Sequence, residues 1–226
     1  MPQRTRKIKH KDQDSVAGPP AENPAEAKPA SRRSASSTLQ RKIIARERRI
    51  LANAFERLEE DGTTIQATGL VVAARRRFVI GEGKSFAYAT LLAGDLSTGL
   101  SQVTLIDGAI VRPLDILADV RSTDVLIAFS VLRYRRYTIE FSRQFRAAGG
   151  DVVAITDSPA APICSIATVS IVVPTENTLE EDSPTALVAT IHVLTALTTA
   201  SAKGARRRLA KRQKLTRALN IYFDEG

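Results

Sequence analysis

Three short stretches of the sequence combine glycine, hydroxyl and arginine residues in a way that suits capture of an anion. The first is Gly81-Glu82-Gly83-Lys84-Ser85. Its two glycines permit a tight turn, and a helix starting there would aim backbone N–H groups at a negative charge. The second runs from Ser130 through Arg133 and Arg135 to Thr138. Its hydroxyls flank guanidinium groups, which hold phosphate or carboxylate through two parallel hydrogen bonds. The third is the polar turn Thr156-Asp157-Ser158-Pro159, with Ser158 as its candidate ligand residue. Together they describe reversible binding of an anionic small molecule.

Other chemistries fit poorly. A nucleotide-hydrolysing loop needs four residues between its glycine and Gly-Lys-Ser, and here Gly81 and Gly83 flank one residue. A dinucleotide fold needs a third glycine where Phe86 stands. One cysteine, Cys164, and two histidines, His10 and His192, do not make a metal site or a disulfide. No cofactor is expected. Glu82 and Glu176 are the candidate acids for a proton transfer, and spacing assigns neither of them to a site.

The elements that must carry these stretches can be read from periodicity. Val125 to Phe129 is an unbroken apolar run, the pattern of a strand buried on both faces. Tyr137, Phe141 and Phe145 then recur at helical spacing from about Tyr134, and Gly149-Gly150 ends that helix. Further strands are expected at Phe78–Ile80, Ser101–Ile106, Asp151–Thr156 and Val169–Val173. Helices are expected at about Ser37–Asp61, Thr63–Ala74, Phe86–Leu96, Pro113–Leu117, Pro162–Ala167, Pro184–Ala202 and from Ala205. Strand and helix alternate, so the fold class is α/β. The expected architecture is a doubly wound, five-stranded parallel sheet in a three-layer sandwich, with an N-terminal amphipathic helix and a basic C-terminal helix. Such sheets bind ligands at the carboxyl ends of their strands.

Residues 1–36 are rich in proline, lysine, alanine and serine and are expected to be a disordered tail. The folded domain is expected over 37–223: N-terminal helices to residue 76, the sheet core over 77–174, and C-terminal helices over 184–223. The net charge of +9 is concentrated at the ends. Residues 203–217 hold eight Lys/Arg and no acid, and residues 4–11 form a second basic cluster. These ends could contact nucleic-acid phosphates, while the body between them is mildly acidic. A single cysteine, no secretory signal and no apolar run of the roughly 18 residues a membrane span needs point to the cytoplasm and away from a membrane.

From about Ser37 to Phe223 the chain resembles the SIS (sugar isomerase) domain, in the version found in RpiR-type transcriptional regulators. Arg77-Phe78-Val79-Ile80-Gly81-Glu82-Gly83-Lys84-Ser85 is similar to the family's first strand and Gly-x-Gly-x-Ser turn. Asp124 to Ser130 resembles its third strand, ending in the phosphate-loop serine. Gly150 to Pro159, followed by Ile166-Ala167-Thr168-Val169, resembles the fourth strand and its sequel. The resemblance implies binding of a phosphorylated sugar at the carboxyl ends of the strands, within a homodimer. It carries over to Gly81, Gly83, Ser85, Ser130 and Thr138. The family's loop Ser-x-Ser-Gly-x-Thr-x-Glu is altered here: Leu132, Arg133, Arg135 and Tyr137 replace the second serine, the glycine, the threonine and the glutamate. Without that acid, isomerase activity is not expected, and Arg133 and Arg135 are the expected substitutes for the lost phosphate donors.

The reading that follows is non-catalytic binding or sensing of a phosphorylated sugar or related carbohydrate derivative. The alternatives are a regulator or nucleic-acid-associated protein using the basic ends, and a sugar-phosphate isomerase. The helix-turn-helix domain that precedes the sugar domain in RpiR-type regulators has no counterpart in residues 1–36.

Overall fold

The computed structural model describes residues 29–176 and 183–222, with side chains from Ser36 onward. The chain divides into two compact units, residues 1–43 and 44–226, and the α/β fold is the second. Helix α1 spans Pro29–Glu60, starting eight residues before the expected Ser37. Proline suits the first helical turn because its fixed φ is already helical, and the Ala, Ser and Arg residues that follow continue the helix. Of the apolar residues Leu39, Ile43, Ile44, Ile50, Leu51, Ala54, Phe55 and Leu58, which recur at helical spacing along α1, only Ile50 and Ala54 are buried. The turn into α2 (Thr63–Ala73) is fixed by Asp61, whose Oδ1 accepts bonds from the backbone N–H and the hydroxyl of Thr63.

The remaining elements are β1 (Arg76–Gly81), α3 (Ser85–Gly99), β2 (Val103–Leu105), α4 (Pro113–Ala118) and β3 (Asp124–Ser130). They continue with α5 (Arg136–Ala147), β4 (Asp151–Thr156), a 3-10 helix (Pro162–Ser165), β5 (Val169–Val172), α6 (Thr185–Ser201) and α7 (Ala205–Ala218). The five strands form one parallel sheet in the order β2-β1-β3-β4-β5. All seven residues of β3 are buried, as its apolar run predicted for a central strand.

Successive strand residues point to opposite faces, and two cores follow from that alternation. Val79, Ile127, Phe129, Val153 and Ile155 face α2, α3 and α6, with Ile50 and Ala54 of α1 joining them. Phe78, Ile80, Leu126, Ala128, Val152 and Ala154 face α4, α5 and the 3-10 helix. The sheet is therefore covered on both sides. The chain leaves β1 toward β2 in one direction and later adds β3 on the other, so the topological switch lies between β1 and β3. The β1–α3 turn and the β3–α5 loop open at that point.

At the opposite end of the sheet, Arg76 and Asp124 sit side by side in the β1–β3 register. Arg76 Nη2 lies 2.6 Å from Asp124 Oδ2 and its Nε 3.1 Å from Oδ1. Burial would raise the Asp124 pKa, but this pairing, the N–H of Arg121 and the two arginine charges together hold it below the usual carboxylate value.

No single helix among the described residues is long and apolar enough to cross a membrane. The tail over residues 1–28, including the basic cluster 4–11, and residues 177–182 lie outside the described residues.

Candidate functional site

Gly81 ends β1 against the start of α3. A Cβ there would stand 2.5 Å from the carbonyl oxygen of Ser85, so only glycine lets the strand and helix approach this closely. Ser85 is buried as the first residue of α3, with its N–H donating to Glu82 O. Gly83 turns the chain with φ +58°. Across its backbone lies the guanidinium of Arg135, at the far end of the neighbouring loop: a Cβ on Gly83 would be 3.0 Å from Arg135 Nη2. Arg135 thus joins the two loops that flank the switch point.

The β3–α5 loop begins at Ser130, which is 2% exposed. Its carbonyl accepts a 2.6 Å bond from Thr156 Oγ1 on β4, but its own hydroxyl has no hydrogen-bond partner. Thr138, in the first turn of α5, is fully buried and its hydroxyl is equally unpartnered. Buried polar groups are normally satisfied, and leaving one unmade costs about 1–3 kcal/mol. Two such hydroxyls flank one five-residue loop, at a helix N-terminus whose dipole favours negative charge.

The β4 end closes the other side of the loop. Asp157 Oδ2 accepts the N–H of Leu132 at 3.2 Å. Tyr134 interacts with Asp157 and Ser158, and its pKa is raised, first by burial and then by the Asp157 charge. Ser158 Oγ also accepts a bond from Ala160 N within its own turn. Sequence reasoning placed Ser158 at this turn as a ligand residue; the structure brings it to Tyr134 and to its own backbone. It gave no role to Asp157, although an acid in a polar turn at a strand's carboxyl end was a visible signal.

Arg133 and Arg135 are both exposed on the loop, and Arg135 is the arginine that reaches the glycine turn. Tyr137, predicted to open the apolar series of α5, is 44% exposed, while Phe141 and Phe145 are buried. The reason is that α5 starts only at Arg136 and Tyr137 lies at its mouth. There it borders a cavity of about 340 Å³ lined by Gly81, Glu82, Gly83 and Phe86 from the β1 side and by Ile106, Asp107 and Gly108 after β2. That volume lies in the range of small-molecule sites. Burial, and secondarily the charge of Glu82, push the Tyr137 hydroxyl above its ordinary pKa of 10.0. Asp107 is held well into its ionised form because Oδ1 accepts the N–H groups of Val111, Ala109 and Ile110, each at 3.0 Å.

The second candidate acid, Glu176, is engaged elsewhere. It pairs with Arg49 at 2.7 Å, and its carbonyl accepts a bond from Arg46 Nη2. The Arg49 hydrogen bond lowers its pKa. Among the described residues no group of three or more His, Cys, Asp or Glu side chains is placed to hold a metal ion.

Comparison with known proteins agrees with this architecture. The SIS domain profile matches residues 70–200, more than half of the chain. The sugar isomerase domain of an RpiR transcription factor from Sphaerobacter thermophilus superposes with a TM-score of 0.71 at 25% identity, covering 79% of this chain and 98% of that one. The Vibrio vulnificus NanR protein complexed with ManNAc-6P has a TM-score of 0.66 at 14% identity, over 81% of this chain and 73% of that one. Phosphoheptose isomerase GmhA from Neisseria gonorrhoeae has a TM-score of 0.57 at 21% identity, over 72% and 97%. No curated protein matches the sequence. On the span of the profile match and the shared sheet, the chain belongs to the SIS domain family.

Proposed function

We propose that the protein binds a phosphorylated sugar at the switch point and holds it without converting it. The observation that carries this reading is the pair of buried, unpartnered hydroxyls, Ser130 Oγ and Thr138 Oγ1, at the N-terminus of α5. A phosphate there would take hydrogen bonds from both hydroxyls, and Arg135, already stretched across the glycine turn, supplies the countercharge. The sugar then occupies the adjoining cavity, with its faces against Phe86 and Tyr137 and its hydroxyls donating to the Glu82 carboxylate. The NanR structure, described with ManNAc-6P, gives this ligand class a precedent on the same fold.

Holding is favoured over turnover because an aldose–ketose shift needs a group that accepts a proton near neutral pH. Residues 130–138, where the family's loop carries its acid, contain no carboxylate. The carboxylates that line the cavity come from other turns, Glu82 between the two glycines and Asp107 after β2, the latter already engaged by three backbone N–H groups. Tyr137 stands where the family's loop has its acid, and its raised pKa keeps it protonated, so it donates hydrogen bonds and does not act as a base. We further propose that the protein acts as a homodimer, supported by exposed apolar residues on α1 and α6.

A thermal-shift series tests the reading directly. ManNAc-6P should raise the melting temperature of the wild type, and the unphosphorylated sugar should not. Arg135→Ala and Ser130→Ala should each abolish the shift. Equal shifts with both sugars, or a shift that survives both substitutions, would remove the phosphate from this loop. A parallel assay for loss of the added sugar phosphate should show no conversion, and measurable turnover would overturn the non-catalytic part.

A further inference from the structure

The basic end of the chain forms a second concave site, at the amino ends of β1 and β2, the opposite end of the strands from the switch point. Where α6 gives way to α7, a cavity of about 790 Å³ is lined by Lys203, Arg207, Arg208 and Lys211, with Arg77 from the start of β1. Ser101 and Ser201 add hydroxyls, and no acidic residue among the described residues contributes to the lining. Arg77 is 6% exposed, and its guanidinium donates to the carbonyls of Val71, Val72 and Ser101. It thereby caps the C-terminus of α2, which explains a buried cation there. No carboxylate among the described residues pairs with it. Arg208 is likewise turned inward, donating to Ser97 O at 3.2 Å.

Five cations converging on one concavity, with no acid among its described lining residues, is an unfavourable arrangement in the free protein. Like charges repel, and the low-dielectric floor around Arg77 strengthens the field. Burial by itself lowers the Arg77 pKa. A bound polyanion would offset this repulsion by attracting each of the cations. Arg207 and Lys211 are one helical turn apart and face the same way, so they bracket a span of about 6 Å along α7, the scale of two linked phosphates.

We propose that this cavity binds a compact anion carrying a di- or triphosphate chain, separately from the sugar-phosphate site. Arg207, Lys211 and Lys203 hold the phosphates at the rim, and Arg77 sets the potential at the floor. Val72 and Leu100 give the same cavity an apolar wall.

The experiment uses the full chain and inorganic tripolyphosphate as the probe, read by calorimetry at physiological salt. The wild type should bind it. Arg207→Gln/Lys211→Gln should weaken binding at least about tenfold, the loss expected from two charge-assisted contacts. Lys214→Gln/Arg217→Gln removes the same charge from positions about 4.5 and about 9 Å further along the helix than Lys211 and outside the cavity lining, and should stay within about threefold of wild type. Equal losses in the two variants would overturn the site and leave only diffuse attraction to a basic helix. A 20-nucleotide single strand that binds more tightly than tripolyphosphate would overturn the compact ligand in favour of an extended one. Neither double variant should alter the ManNAc-6P thermal shift, so the failure of one site is read independently of the other.

Discussion

Arg135 and Gly83 meet across the mouth of the sheet: the guanidinium lies where a side chain on Gly83 would begin, 3.0 Å from an added Cβ. The contact links two loops 52 residues apart, and glycine suits it through its φ of +58° and through the close approach of the arginine. Gly83→Ala should therefore cost about 1–2 kcal/mol, the penalty of a left-handed conformation, because the flexible arginine end can give way. Gly81→Ala should cost more, since its Cβ would meet the backbone of Ser85. Urea unfolding of the two variants checks the order. A larger loss at Gly83 would mean that Arg135 is held rigidly in place.

The unpartnered hydroxyls make an opposite prediction for stability and for binding. Ser130→Ala and Thr138→Val remove groups that are buried without a bond, so each should leave the ligand-free protein as stable as wild type or more so, by up to about 1 kcal/mol. Each should also lose the stabilisation that ManNAc-6P gives. A structural role for the hydroxyls would appear as destabilisation in the absence of ligand.

What the sequence disclosed follows from the range over which each feature is decided. The strands were legible because burial is written into each segment: Val125 to Phe129 is apolar at every position, and β4 occupies Asp151–Thr156, the span its residues indicated. Ser130 and Thr138 were legible as well, since their place at a strand end and in a helix first turn depends on local order. The pairing of Leu132 with Asp157, and of Arg135 with Gly83, was not, because each depends on how two loops distant in the chain approach each other. Spacing treated Arg133 and Arg135 alike. The loop leaves both exposed but turns Arg135 against Gly83.

Acid should weaken the fold through Asp124. Its folded-state pKa lies below the unfolded value near 3.9, so its contribution is fully present above about pH 4 and fades as pH falls through the folded pKa. Asp124→Asn removes the charge while keeping the shape. It should cost on the order of 2–3 kcal/mol at pH 7, Arg76 being partly exposed and so able to recover some hydration. The gap between wild type and variant should narrow below pH 4. Unfolding curves at pH 7 and pH 3 measure it, and a gap that stays constant would show that the Arg76–Asp124 pair does not set the acid limb.

The proposed homodimer is tested by the apolar residues that the fold leaves in solvent. Phe55 on α1 is 40% exposed and Val188 on α6 is 41% exposed, although both helices contribute other residues to the core. Burying a side chain of this size is worth about 1.5–3 kcal/mol, and in a two-fold dimer each substitution acts twice. Sedimentation at micromolar concentration should give twice the chain mass of 24.5 kDa. Phe55→Asp and Val188→Asp should each raise the dissociation constant by at least about a hundredfold, since each removes burial on both protomers and desolvates a new charge. Because the contact is apolar, added salt should leave it intact, in contrast to anything bound by α7. If the wild type sediments as a monomer throughout, these faces have another purpose and the switch-point site is complete within one chain.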